Sequence, residues 1–194
     1  KRLGAPVWDL LGGKVRDRVR AIVLLGTIGD SPRPTGPDSF AAAAKHAKNL
    51  GYTALKMTPF PAGWGQLAHG DLIRQNVAIV EAVREAVGWD FDIGIEIHRN
   101  MMPGQSVVFA RQIEKFLPYF YEDPIAPDSV MSMGMVGDKI NLPLAVGERN
   151  NTVWEFREYC MLPGVAFLKP DIGLAGGFTH AKKIAAVAES FHQR

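Results

Sequence analysis

Phe91-Asp92-Ile93-Gly94-Ile95-Glu96-Ile97-His98 is the stretch on which the fold turns. In an extended strand successive side chains point to opposite faces, so Ile93, Ile95 and Ile97 share one face and Gly94, Glu96 and His98 the other. One face is aliphatic and the other polar, which suits a strand packed on helices behind and open to a site in front. Working outward, further short apolar runs occur at 19–25, 53–57, 119–122, 142–148 and 165–171. Amphipathic segments at 38–50, 72–87, 107–117, 129–140, 153–161 and 177–191 separate them, with apolar residues such as Ile73, Val77, Val80, Val83 and Val87 on one helical stripe. Asp38 and Asp71 are the expected N-caps, and Gly51 and Gly88 stand where helices end. Strict alternation of strand and helix predicts an α/β fold with a parallel sheet. The turn after the first strand, Gly26-Thr27-Ile28-Gly29-Asp30-Ser31-Pro32, lacks the GxGxxG spacing of a dinucleotide-binding sheet. A (β/α)8 TIM-type barrel is therefore expected, of which this sequence holds six units.

Composition narrows the function classes. The 194 residues are 47% hydrophobic and 22% charged, ordinary for a globular chain. With 22 Lys and Arg against 20 Asp and Glu, the net charge is +2, so no basic footprint for nucleic acid or an anionic membrane is present. The longest uncharged stretch, 57–70, is interrupted by Pro59, Pro61 and glycines and does not read as a membrane span. A single cysteine, Cys160, excludes an internal disulfide or a Cys-rich zinc site and suits a cytoplasmic protein. No apolar run of signal-peptide length follows Lys1-Arg2-Leu3-Gly4.

Chemistry is concentrated at the strand ends. Glu96, Glu122 and Glu148 recur at a spacing of 26 residues, and Asp171 follows 23 residues later. One βα unit per acidic residue converts this period into a ring of carboxylates at the C-terminal ends of neighbouring barrel strands, where barrel active sites lie. Three converging carboxylates repel one another unless a cation offsets them, and oxygen ligands suit a hard ion, Mg²⁺ above all. Lys56 and Thr58 share one face of the second strand, and Phe167, Lys169 and Asp171 one face of the sixth. Trp64 and His69 fall in the Pro/Gly-rich connection after the second strand, where a lid or an ordinary surface loop is equally consistent. Met131, Met133 and Met135 read as helix packing, and Ala175-Gly176-Gly177 as an anion cradle or a close packing turn.

Trp8-Asp9-Leu10-Leu11-Gly12-Gly13-Lys14-Val15-Arg16-Asp17, Glu122-Asp123-Pro124, Gly147-Glu148-Arg149 and Lys169-Pro170-Asp171 through Gly177 resemble the enolase superfamily. Within it they are most similar to the mandelate racemase branch and its acid-sugar dehydratases. The resemblance implies Mg²⁺ bound by Glu96, Glu122 and Glu148, although the first position is more often Asp. It implies His98 as the acid that protonates a departing β-hydroxyl. Lys56 matches the first lysine of a Lys-x-Lys motif whose second position is Thr58 here, which disfavours a two-base racemase. Asp171 matches an aspartate that orients a catalytic histidine on the next strand. Lys169, where glutamine is commoner, would bind the substrate carboxylate or pair with a metal ligand. Arg149, Thr58 and Asn100 complete the expected substrate contacts. The implied reaction removes the proton α to a carboxylate and eliminates the β-hydroxyl, giving a 2-keto-3-deoxy acid from a small-molecule acid sugar. A homo-oligomer is the implied assembly. An epimerase or cycloisomerase using Lys56 as base, or a catalytically incomplete metal-binding barrel piece, are the alternatives.

On this reading residues 1–18 are the end of a capping region and linker, and 19–194 a partial barrel. A full barrel takes roughly 250 residues. The seventh strand, with the histidine expected as general base, would lie past Arg194.

Overall fold

Six parallel strands lie side by side in chain order: β1 (Val23–Leu24), β2 (Ala54–Met57), β3 (Asp92–Glu96), β4 (Phe120–Glu122), β5 (Leu144–Val146) and β6 (Val165–Leu168). This computed structural model describes residues 2–27 and 33–194, so the turn at 28–32 lies outside the described residues. A short helix α1 (Val7–Leu10) precedes the sheet, and α2 (Pro37–Asn49), α3 (His69–Val87), α4 (Pro103–Ile113), α5 (Val130–Gly137), α6 (Val153–Cys160) and α7 (Phe178–Ser190) follow β1 to β6 in turn. Each of the first five packs on the next one in the chain. The α/β unit alternation expected from the sequence is thus present throughout.

The core lies between the sheet and this layer of helices. Leu55, Met57, Ile93, Ile95, Ile97, Tyr121, Leu144 and Val146 are fully buried against Ile79, Val83, Phe109, Ile113, Phe156 and Tyr159 from the helices. Removing such apolar surface from water stabilises by about 25 cal/mol per Å². The opposite face carries Lys56, Gly94, Glu96, Phe120 and Glu122. Near the N-terminal end of the sheet, Tyr119, Phe120 and Phe167 form an aromatic layer with ring centroids 5.2–5.8 Å apart. Gly94 makes room for it, because a Cβ there would collide with the Phe120 ring.

Local chemistry corrects several element boundaries. The first strand is Val23–Leu24 and not 19–25: Val19 is 78% exposed, and the Arg20 guanidinium, bonded to Thr53 and Asp92, holds this segment through its side chain instead of a ladder. Asp38 and Asp71 are not N-caps. Gly36 precedes α2, with Pro37 at its first position and the Ser39 hydroxyl accepting from the Gly36 N–H at 3.1 Å. Ala68 precedes α3, which places Asp71 inside the first turn, paired with Arg74 at 3.0 Å. Of the methionine triplet only Met133 is buried; Met131 and Met135 are exposed, since residues two apart on a helix do not face the same way.

Arg194 meets the outer edge of β6 as in a parallel bridge: its N–H donates to the Ala166 carbonyl at 3.0 Å and its carbonyl accepts from the Leu168 N–H at 2.6 Å. Among the described residues, no helix is long and apolar enough to cross a membrane.

Candidate functional site

Strand register brings the acidic residues together. Lys56 is opposite Gly94, Glu96 opposite Glu122, and Glu122 also pairs with Ala145. Two like charges directly opposite on neighbouring strands are unfavourable unless a cation joins them. Lys56 does so, with Nζ 2.8 Å from Glu96 Oε2 and 3.1 Å from Glu122 Oε2. From the far side Lys169 Nζ donates to the same Glu122 oxygen at 3.0 Å and sits 4.8 Å above the Phe120 ring. Burial alone would lower the Lys56 pKa, but the hydrogen bond to Glu96 and the charges of Glu122 and Glu96 outweigh it and hold the ammonium above its ordinary value.

Just past the end of β3 the backbone leaves the strand. His98 and Arg99 adopt φ values of +53° and +67°, and Asp123 in the next loop +42°. Left-handed conformations in non-glycine residues cost on the order of 1–3 kcal/mol each and persist only where surrounding contacts hold them. Here the Arg99 N–H donates to the Asp123 carbonyl at 2.9 Å and the Asn100 N–H to the Ile97 carbonyl at 3.1 Å. At the end of β5, Gly147 takes φ +117° and packs so tightly that a Cβ would collide with Phe156. This turn aims Glu148 back over the sheet.

Together the turns bring donor atoms of Glu96, His98 and Glu148 within 4.8 Å of one another. They border a cleft of about 760 Å³ lined on its other sides by Thr58, Trp64, Asn100, Lys169 and Asp171. A set dominated by carboxylate oxygens, with an exposed imidazole beside it, fits a hard divalent cation that keeps positions open. Glu122 lies in the same cleft, but its carboxylate is held by the two lysines and not in that cluster.

Arg99 is the residue the sequence did not reveal. Its Nη1 donates to Asp123 Oδ2 and to Glu148 Oε2, both at 2.9 Å, and its Nη2 lies 2.9 Å from His98 Nε2. Strand alternation would send Arg99 to the aliphatic side with Ile97; the left-handed turn reverses it. Burial raises the Glu148 pKa, yet the Arg99 hydrogen bond and charge prevail and the carboxyl titrates below its usual range. Asp123 goes the other way: burial first, then the charge of Glu122, lifts it to about 6 despite Arg99. A signal for Asp123 did exist, since it sits inside the Glu122-Asp123-Pro124 motif.

The remaining expected residues divide. Lys56, Thr58, Asn100, Lys169 and Asp171 line the cleft. Asp171 is exposed and accepts from the Leu174 N–H at 2.8 Å, forming the turn before α7. Arg149 is at the rim, its side chain 52% exposed and 3.9 Å from Glu148 Oε1. Trp64 reaches the cleft and packs on Phe60 with centroids 4.8 Å apart, whereas His69 starts α3 and does not line it. In the Ala175-Gly176-Gly177 turn, the N–H groups bond to the carbonyls of Asp171, Gly173 and Ile172, so packing and not an anion accounts for them.

Known proteins share this architecture. A D-gluconate dehydratase of Thermoproteus tenax is 36% identical over 191 residues, covering 98% of this chain and 37% of that protein. A D-galactonate dehydratase of Cronobacter sakazakii is 31% identical over 194 residues, covering 98% and 48%. The crystal structure of an enolase-superfamily member from Salmonella Typhimurium superposes with a TM-score of 0.93 at 31% identity, over 99% of this chain and 53% of that one. The chain therefore spans half or less of the curated relatives it matches. Residues 39–194 match the family model described as enolase C-terminal domain-like, and with the strand-end carboxylates in place the chain belongs to that family, on the mandelate racemase side of the enolase superfamily.

Proposed function

We propose that this chain carries the cation site and the acid of a Mg²⁺-dependent acid-sugar dehydratase. The observation that supports it best is the meeting of Glu96, His98 and Glu148 at the strand ends, beside two lysines that flank Glu122. Glu96 and Glu148 are the residues that would hold the cation, joined, as the resemblance implies, by Glu122 on release from its lysines. When bound, the cation supplies Lewis-acid stabilisation of the negative charge that builds on the substrate carboxylate.

The protein's own residues account for the rest. Lys56 and Lys169 place fixed positive charge around the cleft, where it opposes charge developing on the substrate's carboxylate oxygens. Proton removal at the α-carbon falls to a base oriented by Asp171, as the resemblance implies. His98 gives a proton to the β-hydroxyl as its C–O bond breaks, so water leaves and the enol product becomes a 2-keto-3-deoxy acid. A guanidinium only donates, so His98 Nε2 accepts from Arg99 in the structure. The acid form needs a proton at that nitrogen and gives the contact up. Lys56 is poorly suited to be the base of an epimerase, because two carboxylates hold its ammonium.

The roles separate in the variant His98→Asn of the intact protein, assayed with D-gluconate in D₂O. Water elimination should fall by about 10²–10⁴, the usual contribution of a positioned acid, while deuterium still enters at the α-carbon. Equal loss of exchange and elimination would contradict a dedicated acid role.

A further inference from the structure

Arg99 touches three consecutive strand-end loops at once. It belongs to the loop after β3, its Nη1 donates to Asp123 after β4 and to Glu148 after β5, and its Nη2 meets His98 beside it. Its side chain is 17% exposed, between two carboxylates that are themselves partly or largely buried. We propose that Arg99 is a positioning residue that fixes the Glu148 carboxylate and, while the ring is neutral, the orientation of the His98 imidazole; this rests on the cation site proposed above.

Two features of the geometry support the assignment. First, the guanidinium engages Glu148 only through Oε2; among the described residues Oε1 accepts no hydrogen bond, with Arg149 at 3.9 Å as its nearest ion-pair contact. One oxygen is thus anchored and the other is left to serve as a ligand. Second, because every guanidinium nitrogen is a donor, contact with Nη2 requires a lone pair on His98 Nε2. The proton of the neutral imidazole is then on Nδ1, so Arg99 selects both the ring's orientation and its tautomer. A lysine cannot replace this arrangement, since its ammonium lacks the planar fork that reaches Asp123, Glu148 and His98 together. Partners that orient ligands in this way typically alter metal affinity by about 10–100-fold.

Two variants of the intact protein, Arg99→Met and Arg99→Lys, test the assignment. Arg99→Lys retains the charge and guards against loss of fold. The readouts are Mn²⁺ affinity by electron paramagnetic resonance and the ring-nitrogen spectrum of His98 in mildly alkaline buffer, identified by its absence in His98→Asn. The wild type should show the Nδ1–H tautomer. Both variants should bind Mn²⁺ about 10–100-fold more weakly and lose that signature. Wild-type affinity, or an unchanged imidazole spectrum, in variants that unfold normally would overturn the positioning role. A wild type that takes up no Mn²⁺ would instead contradict the cation site itself, and the imidazole spectrum would still decide the role of Arg99.

Discussion

Glu122 is the most deeply buried of the strand-end carboxylates, 2% exposed, and two ammonium groups share one of its oxygens. Removing one member of a buried charged cluster leaves the others uncompensated, at a cost of about 3–5 kcal/mol. Glu122→Gln is expected to lose stability near the lower end of that range in urea unfolding, because Lys56 keeps Glu96 as a partner and Lys169 is partly solvated. Lys169→Met should cost less than Glu122→Gln, since Lys56 still pairs with the carboxylate; the reverse order would mean that Lys56 alone does not compensate it. At Gly147 the demand is conformational, φ +117° against the Phe156 ring. Gly147→Ala should destabilise by more than the roughly 1–3 kcal/mol that backbone strain alone costs, because its Cβ also meets Phe156, and it should disturb Glu148 next to it. Residue identity at these points was readable from the 26-residue spacing and the strand faces. Arg99 was not, because alternation holds only while the chain stays extended, and the turn at His98 and Arg99 depends on contacts with a loop 24 residues away.

Helix α6 shows how an element secures one wall of the site. Its N-cap Thr152 accepts from the Glu155 N–H at 3.3 Å, and Glu155 reaches back to the Thr152 N–H at 2.8 Å, a capping box that also ties Asn150 at 3.1 Å. Thr152→Ala should lower stability by about 1 kcal/mol, read as a fall in thermal midpoint. Burial alone would raise the Glu155 pKa, but the hydrogen bonds from Thr152, Asn150 and Asn151 dominate and lower it. A carboxyl with its folded pKa depressed contributes stability in full above the ordinary value of about 4.3, and that contribution fades as pH falls through the folded pKa. Glu155→Gln should therefore be less stable than the wild type at neutral pH, with the gap narrowing in acid; a gap independent of pH would assign the effect to something other than the carboxylate. The helix signals in the sequence were periodic and survived in the structure. Their starts shifted because Pro37 and Pro103 open helices earlier than the apolar stripes do, and β1 shrank because Arg20 replaces ladder bonds with a side-chain anchor.

At the scale of the molecule, one rule organises the chain: each βα unit from β2 onward delivers at least one charged residue to the same end of the sheet. That made strand order, the helix layer and the carboxylate ring legible from the sequence, since equal spacing along a parallel sheet means neighbouring positions in space. What spacing could not convey is how charge is distributed within the ring, with Glu122 held by lysines and Glu96, His98 and Glu148 drawn together. The central claim is that this constellation serves the dehydration of an acid sugar with a divalent cation. Incubating the intact protein with D-gluconate and D-galactonate, with Mg²⁺ or with a chelator, tests it most directly. The account predicts a 2-keto-3-deoxy acid from at least one of the two, with Mg²⁺ present and not with the chelator. Product that forms equally well under chelation, or none from either sugar acid at any Mg²⁺ concentration, would contradict it.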